Sequence, residues 1–245
     1  MRNAMAAARI LFEKRCPSGI EDLDKIIGGG FPLGGTVNVA GGCGCGKTTL
    51  AVEFLVRGAL MGEKGVYIAT TCSPLKAFKG TVRLCVFDDR MIDDKTIRLV
   101  DIEDIMGKVP QPRRPLGRNA ALDLLNAIEN IIVKNGAKRL VIDPITPMLM
   151  DMEPGVERDF MKVLNDSMSK KECTTVIVSS GPEDAIGPLS ADGRILMEDF
   201  ERDGDFIRVL QVQKMAGAQH SRARYAFDIT SCGILMTPLM KGSGQ

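Results

Sequence analysis

The sequence predicts an α/β fold, with helices packed on a mainly parallel central sheet and antiparallel strands extending it at the C-terminal end. Three observations predict it. Up to about residue 178, short apolar β-rich runs alternate with helix-period stripes, the pattern of strand, crossover helix and parallel strand. Gly41 to Thr48 reads G-G-C-G-C-G-K-T, a complete G-x-x-x-x-G-K-[ST] phosphate-binding loop, with strand-like residues before it and helix-like residues after it. From Gly193 onward the helical stripes stop, and β-rich runs follow one another through short connections, which favours antiparallel pairing.

The elements follow in order. Thr36 to Ala40 is the strand that enters the phosphate loop, and Thr48 to Leu60 the helix that leaves it. Gly65 to Ala69 is a second strand; a helical stretch from Pro74 to about Val86 leads to a third, Thr96 to Val100. Apolar residues at Ala121, Leu124, Leu125, Ile128, Ile131 and Ile132 mark one face of a helix over Ala120 to Val133, which feeds the strand Arg139 to Ile142. Val156 to Met168 reads as a helix and Thr174 to Val178 as the fifth strand. Gly193 to Met197, Phe206 to Gln213 and Arg224 to Ile229 form the expected C-terminal extension. Residues 1–240 are expected to be a single domain, and Lys241 to Gln245 a flexible tail.

The phosphate loop carries the chemistry. Glycines let the backbone wrap a polyphosphate with its N–H groups pointing inward, and the helix start adds the positive end of its dipole. Gly42, Cys43, Gly44, Cys45, Gly46, Lys47, Thr48 and Thr49 are therefore the expected nucleotide-binding set, with Lys47 reaching the β- and γ-phosphates and the Thr48 hydroxyl holding Mg²⁺. Asp143 ends the apolar strand Leu140 to Ile142, where a carboxylate for the Mg²⁺ shell belongs. The plainer reading of Asp143 is a strand-terminating residue before Pro144. Strand context and phosphate loop together favour the metal role.

Composition narrows the class. The 245 residues are 44% hydrophobic and 26% charged, ordinary for a globular protein able to bury a substantial core. The longest apolar runs are far short of a membrane span, and the N-terminal Met1 to Ala8 holds too short an apolar segment for a secretory signal. Membrane insertion is not expected, and the expected location is the cytoplasm. Seven cysteines without a C-x-x-C pair give neither a zinc framework nor a disulfide ladder, so reduced thiols are expected. A formal net charge of +1 announces neither nucleic acid nor an acidic surface.

Motifs on both sides of the phosphate loop carry a resemblance. Cys16-Pro17-Ser18-Gly19-Ile20-Glu21-Asp22-Leu23-Asp24 and Gly28-Gly29-Gly30-Phe31-Pro32-Leu33-Gly34 precede it. Lys214-Met215-Ala216-Gly217-Ala218-Gln219-His220, Phe227-Asp228-Ile229-Thr230 and Gly233-Ile234 follow near the C-terminus. In that order they resemble the S/T-G-I-x-x-L-D, G-G-x-P-x-G, K-M-R-G-x-x-H and F-x-I-x-x-x-G-I patterns of KaiC-like ATPases of the RecA superfamily, over about residues 16 to 236. The resemblance implies a RecA-like P-loop αβα sandwich. It also implies ATP as ligand and a homo-oligomeric ring, often a hexamer, with nucleotide between neighbouring subunits. Lys214 and His220 would then face phosphates bound by the adjacent protomer. The plainer alternative for them is a surface lysine and a solvated histidine.

Two departures from the family pattern shape the expected activity. The family carries a Glu-Glu pair after its second strand, one carboxylate of which activates the attacking water; alignment on Pro74 puts Thr71 and Cys72 there. Neither is a base at neutral pH. The arginine of K-M-R-G is Ala216. A trans arginine contributes ~10³ to 10⁵ in phosphoryl transfer, and general base catalysis ~10² to 10⁴. The expectation is an ATP·Mg-binding regulatory or assembly protein with weak or absent hydrolysis and a protein partner. One alternative is a slow ATPase whose base lies elsewhere, the nearest acids being Asp101, Glu103 and Asp104. The other is an accessory protein of DNA repair akin to recombinase paralogues.

DNA is the less favoured partner. Pro144 to Gly155 and Ser179 to Leu189, the loops after the fourth and fifth strands, contain no Lys or Arg with which to neutralise phosphates. Arg113, Arg114 and Arg118 form the one basic cluster, read as a solvated loop. Met148, Leu149, Met150 and Met152 suit either an adaptable protein-binding surface or a packed crossover. Cys43 and Cys45 are small fillers of the phosphate loop, with a lowered thiol pKa and redox sensitivity as the sharper reading.

Overall fold

A computed structural model describes residues 14–81, 85–107, 115–180, 191–202 and 204–239. In chain order the elements are β1 (Arg15–Cys16), α1 (Glu21–Ile26), β2 (Phe31–Pro32), β3 (Thr36–Gly41), α2 (Lys47–Leu60), β4 (Gly65–Ala69), α3 (Pro74–Thr81) and α4 (Arg90–Asp93). There follow β5 (Ile97–Asp101), α5 (Ile102–Met106), α6 (Arg118–Asn135), β6 (Arg139–Asp143), α7 (Thr146–Met150), α8 (Val156–Lys170), β7 (Thr174–Ser180), β8 (Gly193–Arg202), β9 (Asp205–Met215), β10 (Arg224–Thr230) and β11 (Gly233–Pro238).

Nine of these strands make one sheet in the order β11-β10-β9-β8-β3-β7-β6-β4-β5, and β1 pairs with β2 in a separate hairpin. The pairs from β8 through β3, β7, β6 and β4 to β5 are all parallel. Every residue of β3, β4 and β6 is buried, as interior parallel strands covered on both faces must be. One buried cluster joins α1, α2 and Phe78 of α3 to one face of the sheet. The other joins α5, α6, α7 and α8 to the opposite face. The layers are therefore α, β and α.

Local sequence explains the helices. In α6, Ala121, Leu124, Leu125, Ile128 and Ile132 are buried at helical spacing, and Gly136 closes the helix in the left-handed conformation at φ 61°. The stretch from Pro74 is helical only to Thr81; Val86 packs in a turn against the core instead. The antiparallel extension starts one strand later than expected. β8 runs parallel to β3 on one side and antiparallel to β9 on the other, so it joins the two halves of the sheet. The last strand, β11, completes a hairpin with β10. Of the two readings of the methionine run the packed crossover holds, because Met148, Leu149 and Met152 are buried and Met150 alone of the four is exposed. Arg113, Arg114, the tail from 241, the N-terminal segment to residue 13 and most of the loop after β7 lie outside the described residues.

Candidate nucleotide site

The carboxyl ends of β3, β7, β6, β4 and β5 share one edge of the sheet. Gly41 is level with Ser180 across one pairing, and Ala69 with both Asp143 and Asp101 across two others. Such an edge is where ligands bind in open α/β sheets. The chain leaves β3 there through a turn whose backbone demands glycine. Gly41 sits at φ 145° with Met197 backbone pressed against it, and Gly44 and Gly46 adopt left-handed φ values of 83° and 95°. A Cβ at Gly42 or Gly44 would meet nothing within 4 Å, so the loop opens onto free space, whereas Gly46 is backed by Ile229 and Phe227.

Lys47 starts α2 and is 7% exposed, with its ammonium donating to the Gly42 carbonyl and lying 3.7 Å from Cys45 Sγ. A buried cation bonded to a carbonyl and a thiol is a strong attractor for anions at the loop. Cys43 is exposed; Cys45 is buried and donates to the Gly42 carbonyl at 3.0 Å. Burial pushes the Cys45 thiol above its ordinary pKa despite Lys47, which favours the filler reading of Cys45 over the redox-sensitive one. Thr48 and Thr49 are half-buried on the first turn of α2.

Asp143, at 7% exposure, closes β6, and its Oδ2 accepts a hydrogen bond from the Tyr67 hydroxyl at 2.9 Å. The Thr48 side chain bonds to the same carboxyl. Burial raises the Asp143 pKa, while the Thr48 and Tyr67 bonds and the Lys47 charge oppose the rise. Strand β7 lies between β3 and β6, so the two carboxyl ends are about 10 Å apart at two strand spacings. The start of α2 spans that gap and brings Thr48 to Asp143. Polar contacts knit the same edge: Ser179 donates to Asn38 at 2.9 Å, and the Ser180 N–H donates to Thr146 Oγ1 at 3.0 Å.

Thr71 and Cys72 are exposed just beyond β4, whose last residue is level with Asp143. Asp101 accepts the Glu103 N–H at 3.0 Å as the cap of α5. Glu103 lines a pocket with Thr70, Met106 and Met148. Met106 and Met148 belong to the cluster on the face away from α2, so Glu103 is turned from the phosphate loop.

Lys214 and His220 stand elsewhere. Met215 pairs with Gly193 and Gly193 with Val37, whereas the phosphate loop begins level with Met197. Met215 is four residue levels from the loop and Lys214, level with Arg194 and Asn38, is three, about 10 Å along the strands before any lateral distance is added. The Lys214 ammonium donates to the Ala191 carbonyl at 2.7 Å, and Arg15 donates to the carbonyls of Ala216, at 3.1 Å, and Gly217. His220 Nε2 is buried without a hydrogen-bond partner among the described residues. These residues are at the opposite end of the strands from their own chain's phosphate loop.

Sequence reasoning missed Tyr67, although a tyrosine inside a wholly buried strand is a signal that its hydroxyl has a partner. It missed Glu53 as well. This buried carboxylate in α2 accepts the Ile234 N–H at 2.9 Å and pairs with Arg57 at 3.3 Å, tying the helix to the β10–β11 turn. Burial raises its pKa, against those same contacts.

The KaiC ATPase family profile matches residues 16–241. A "UPF0273 protein" of Thermotoga maritima is 30% identical over 241 residues, covering 95% of this chain and 99% of that one. The circadian clock oscillator protein KaiC of Nostoc is 29% identical over 233 residues, which cover 90% of this chain and 43% of that protein. Among solved structures, a KaiC-like protein from the hyperthermophilic archaeon Pyrococcus horikoshii superposes with a TM-score of 0.77 at 28% identity, covering 92% of this chain and 99% of the other.

Proposed function

Because the chain belongs to the KaiC ATPase family, we propose that it binds ATP with Mg²⁺, assembles with copies of itself in response, and hydrolyses the nucleotide weakly. The observation that carries the reading is the loop itself, open over Gly42 and Gly44, with a buried ammonium at Lys47 and a carboxyl shared by Thr48 and Tyr67. Those groups fit a metal–polyphosphate. Loop N–H groups and Lys47 suit the phosphates, and Thr48 with Asp143 suits the cation, which when bound would neutralise phosphate charge. Weak hydrolysis follows from Thr71 and Cys72, which offer no base beside the loop. Asp101, occupied as a helix cap, and Glu103, on the other face, are poor replacements. Lys214 and His220 would meet the phosphates of a neighbouring copy, which is the support for a ring. The use of this assembly is regulatory, through a protein partner.

Thermal unfolding tests the reading. A ligand bound only by the native state raises the transition by mass action, by ~2.7 kcal/mol at a hundred times its Kd. The wild type is expected to shift upward with millimolar ATP and Mg²⁺, and Lys47→Ala to lose most of that shift. An unmoved wild-type transition refutes nucleotide binding.

A further inference from the structure

Tyr67 fills a position in β4 where phenylalanine would occupy the same volume. Its side chain is fully buried, standing edge-on to Phe78 at 5.8 Å between ring centres, and Phe78 in turn packs on Phe87 at 5.6 Å. A hydroxyl in such surroundings costs free energy unless it is bonded. Its partner is Asp143 Oδ2, at 2.9 Å. The aromatic stack holds the ring on one side, and the β4–β6 pairing holds the two backbones in register, Tyr67 beside Val141 and Ala69 beside Asp143. The phenol therefore occupies one carboxyl oxygen and restrains rotation of the group, so the remaining acceptor positions keep a constant aim toward the start of α2. The ring partner Phe78 belongs to α3, whose first residue comes just after Thr71 and Cys72. The same tyrosine thus links the metal-side carboxyl to the segment where the family places its carboxylate pair.

We propose that Tyr67 is a positioning residue for Asp143, setting how readily the nucleotide site takes its divalent cation without itself touching nucleotide or metal. The inference rests on the Mg²⁺ role given to Asp143 under the proposed function. Partners that orient a metal-binding side chain change metal affinity by about 10- to 100-fold when removed.

The test uses the full chain and Tyr67→Phe. Thermal unfolding is followed with saturating ATP in chelator and then with increasing Mg²⁺. Expected are an ATP effect without metal within about twofold of wild type and a Mg²⁺ midpoint raised at least about tenfold. A merely structural hydroxyl would lower the transition of the free protein and leave the Mg²⁺ midpoint unchanged, and that result overturns the proposal. A wild type that ignores ATP and Mg²⁺ removes the premise instead, and the inference falls with it. Should the variant fail to fold, the wild-type hydroxyl can be watched directly. The chain has two tyrosines and no tryptophan, so Tyr225→Phe leaves Tyr67 as the single emitter. Its fluorescence should change as Mg²⁺ is added to the ATP-bound protein, with the same midpoint as the thermal shift; emission unaltered by Mg²⁺ counts against the link.

Discussion

At the carboxyl ends of β3, β6 and β4 the chain gathers a phosphate loop, a buried lysine, a threonine and a carboxyl whose hydrogen bonds are already made. At the opposite end of β8 and β9 it presents Lys214, tied to a carbonyl, and His220, whose Nε2 is buried without a partner among the described residues. The first region can cradle a polyphosphate within one chain. The second cannot reach that cradle, since the pairing of β8 with β3 and β9 fixes its distance. The contrast teaches that the proposed nucleotide binding and the proposed nucleotide-dependent assembly would be separable, because the residues assigned to them lie at different ends of one sheet.

The largest effect should come from repairing the cradle's missing chemistry. Thr71→Glu with Cys72→Glu puts carboxylates beside the loop, and phosphate release is expected to rise at least about tenfold, a cautious share of what a general base supplies. Adding Ala216→Arg at the other end should raise it again only in the assembled protein, because under the proposed ring its guanidinium would serve a neighbouring copy. A wild-type rate unchanged by the double substitution would place the base elsewhere and blur the contrast between the two ends.

Smaller changes belong to the distal end. His220→Ala should leave the ATP-induced thermal shift of dilute protein intact while raising by about tenfold the protein concentration at which sedimentation shows the ATP-bound assembly, the loss expected for about 1.4 kcal/mol at an interface. Equal sedimentation of variant and wild type would separate His220 from assembly. Arg15→Ala removes the donor that holds the Ala216 and Gly217 carbonyls. The assembly should then weaken by a factor of about three to ten, the worth of a hydrogen bond near 1 kcal/mol, and nucleotide binding should not change. Loss of ATP binding in the Arg15 variant would show that the two ends are not independent.

Much of the fold was legible because it is local. β4 runs from Gly65 to Ala69 as the apolar run indicates, and the stripe of α6 places Ala121, Leu124, Leu125, Ile128 and Ile132 in the core. Short elements escaped: β1 and β2 hold two residues each and α7 five, too few for a period to register. The methionine run was ambiguous for a related reason, since a one-turn helix buries Met148 and Leu149 on one side and exposes Met150 on the other. Within the candidate site, the loop residues and Asp143 were readable from motif and strand context. The partners of Asp143 and the burial of Cys45 were not.

What the sequence determined alone is the order of strand, glycine loop and helix, together with family membership, because glycine spacing and side-chain periodicity act between residues a few positions apart. The tertiary structure decided that β7 separates β3 from β6, that Tyr67 meets a carboxyl 76 residues away, and that Lys214 pairs near the end of β8 remote from its own phosphate loop. The order of strands in the sheet settles all three. That order arises from how whole crossovers pack on the sheet, which no short run of residues specifies.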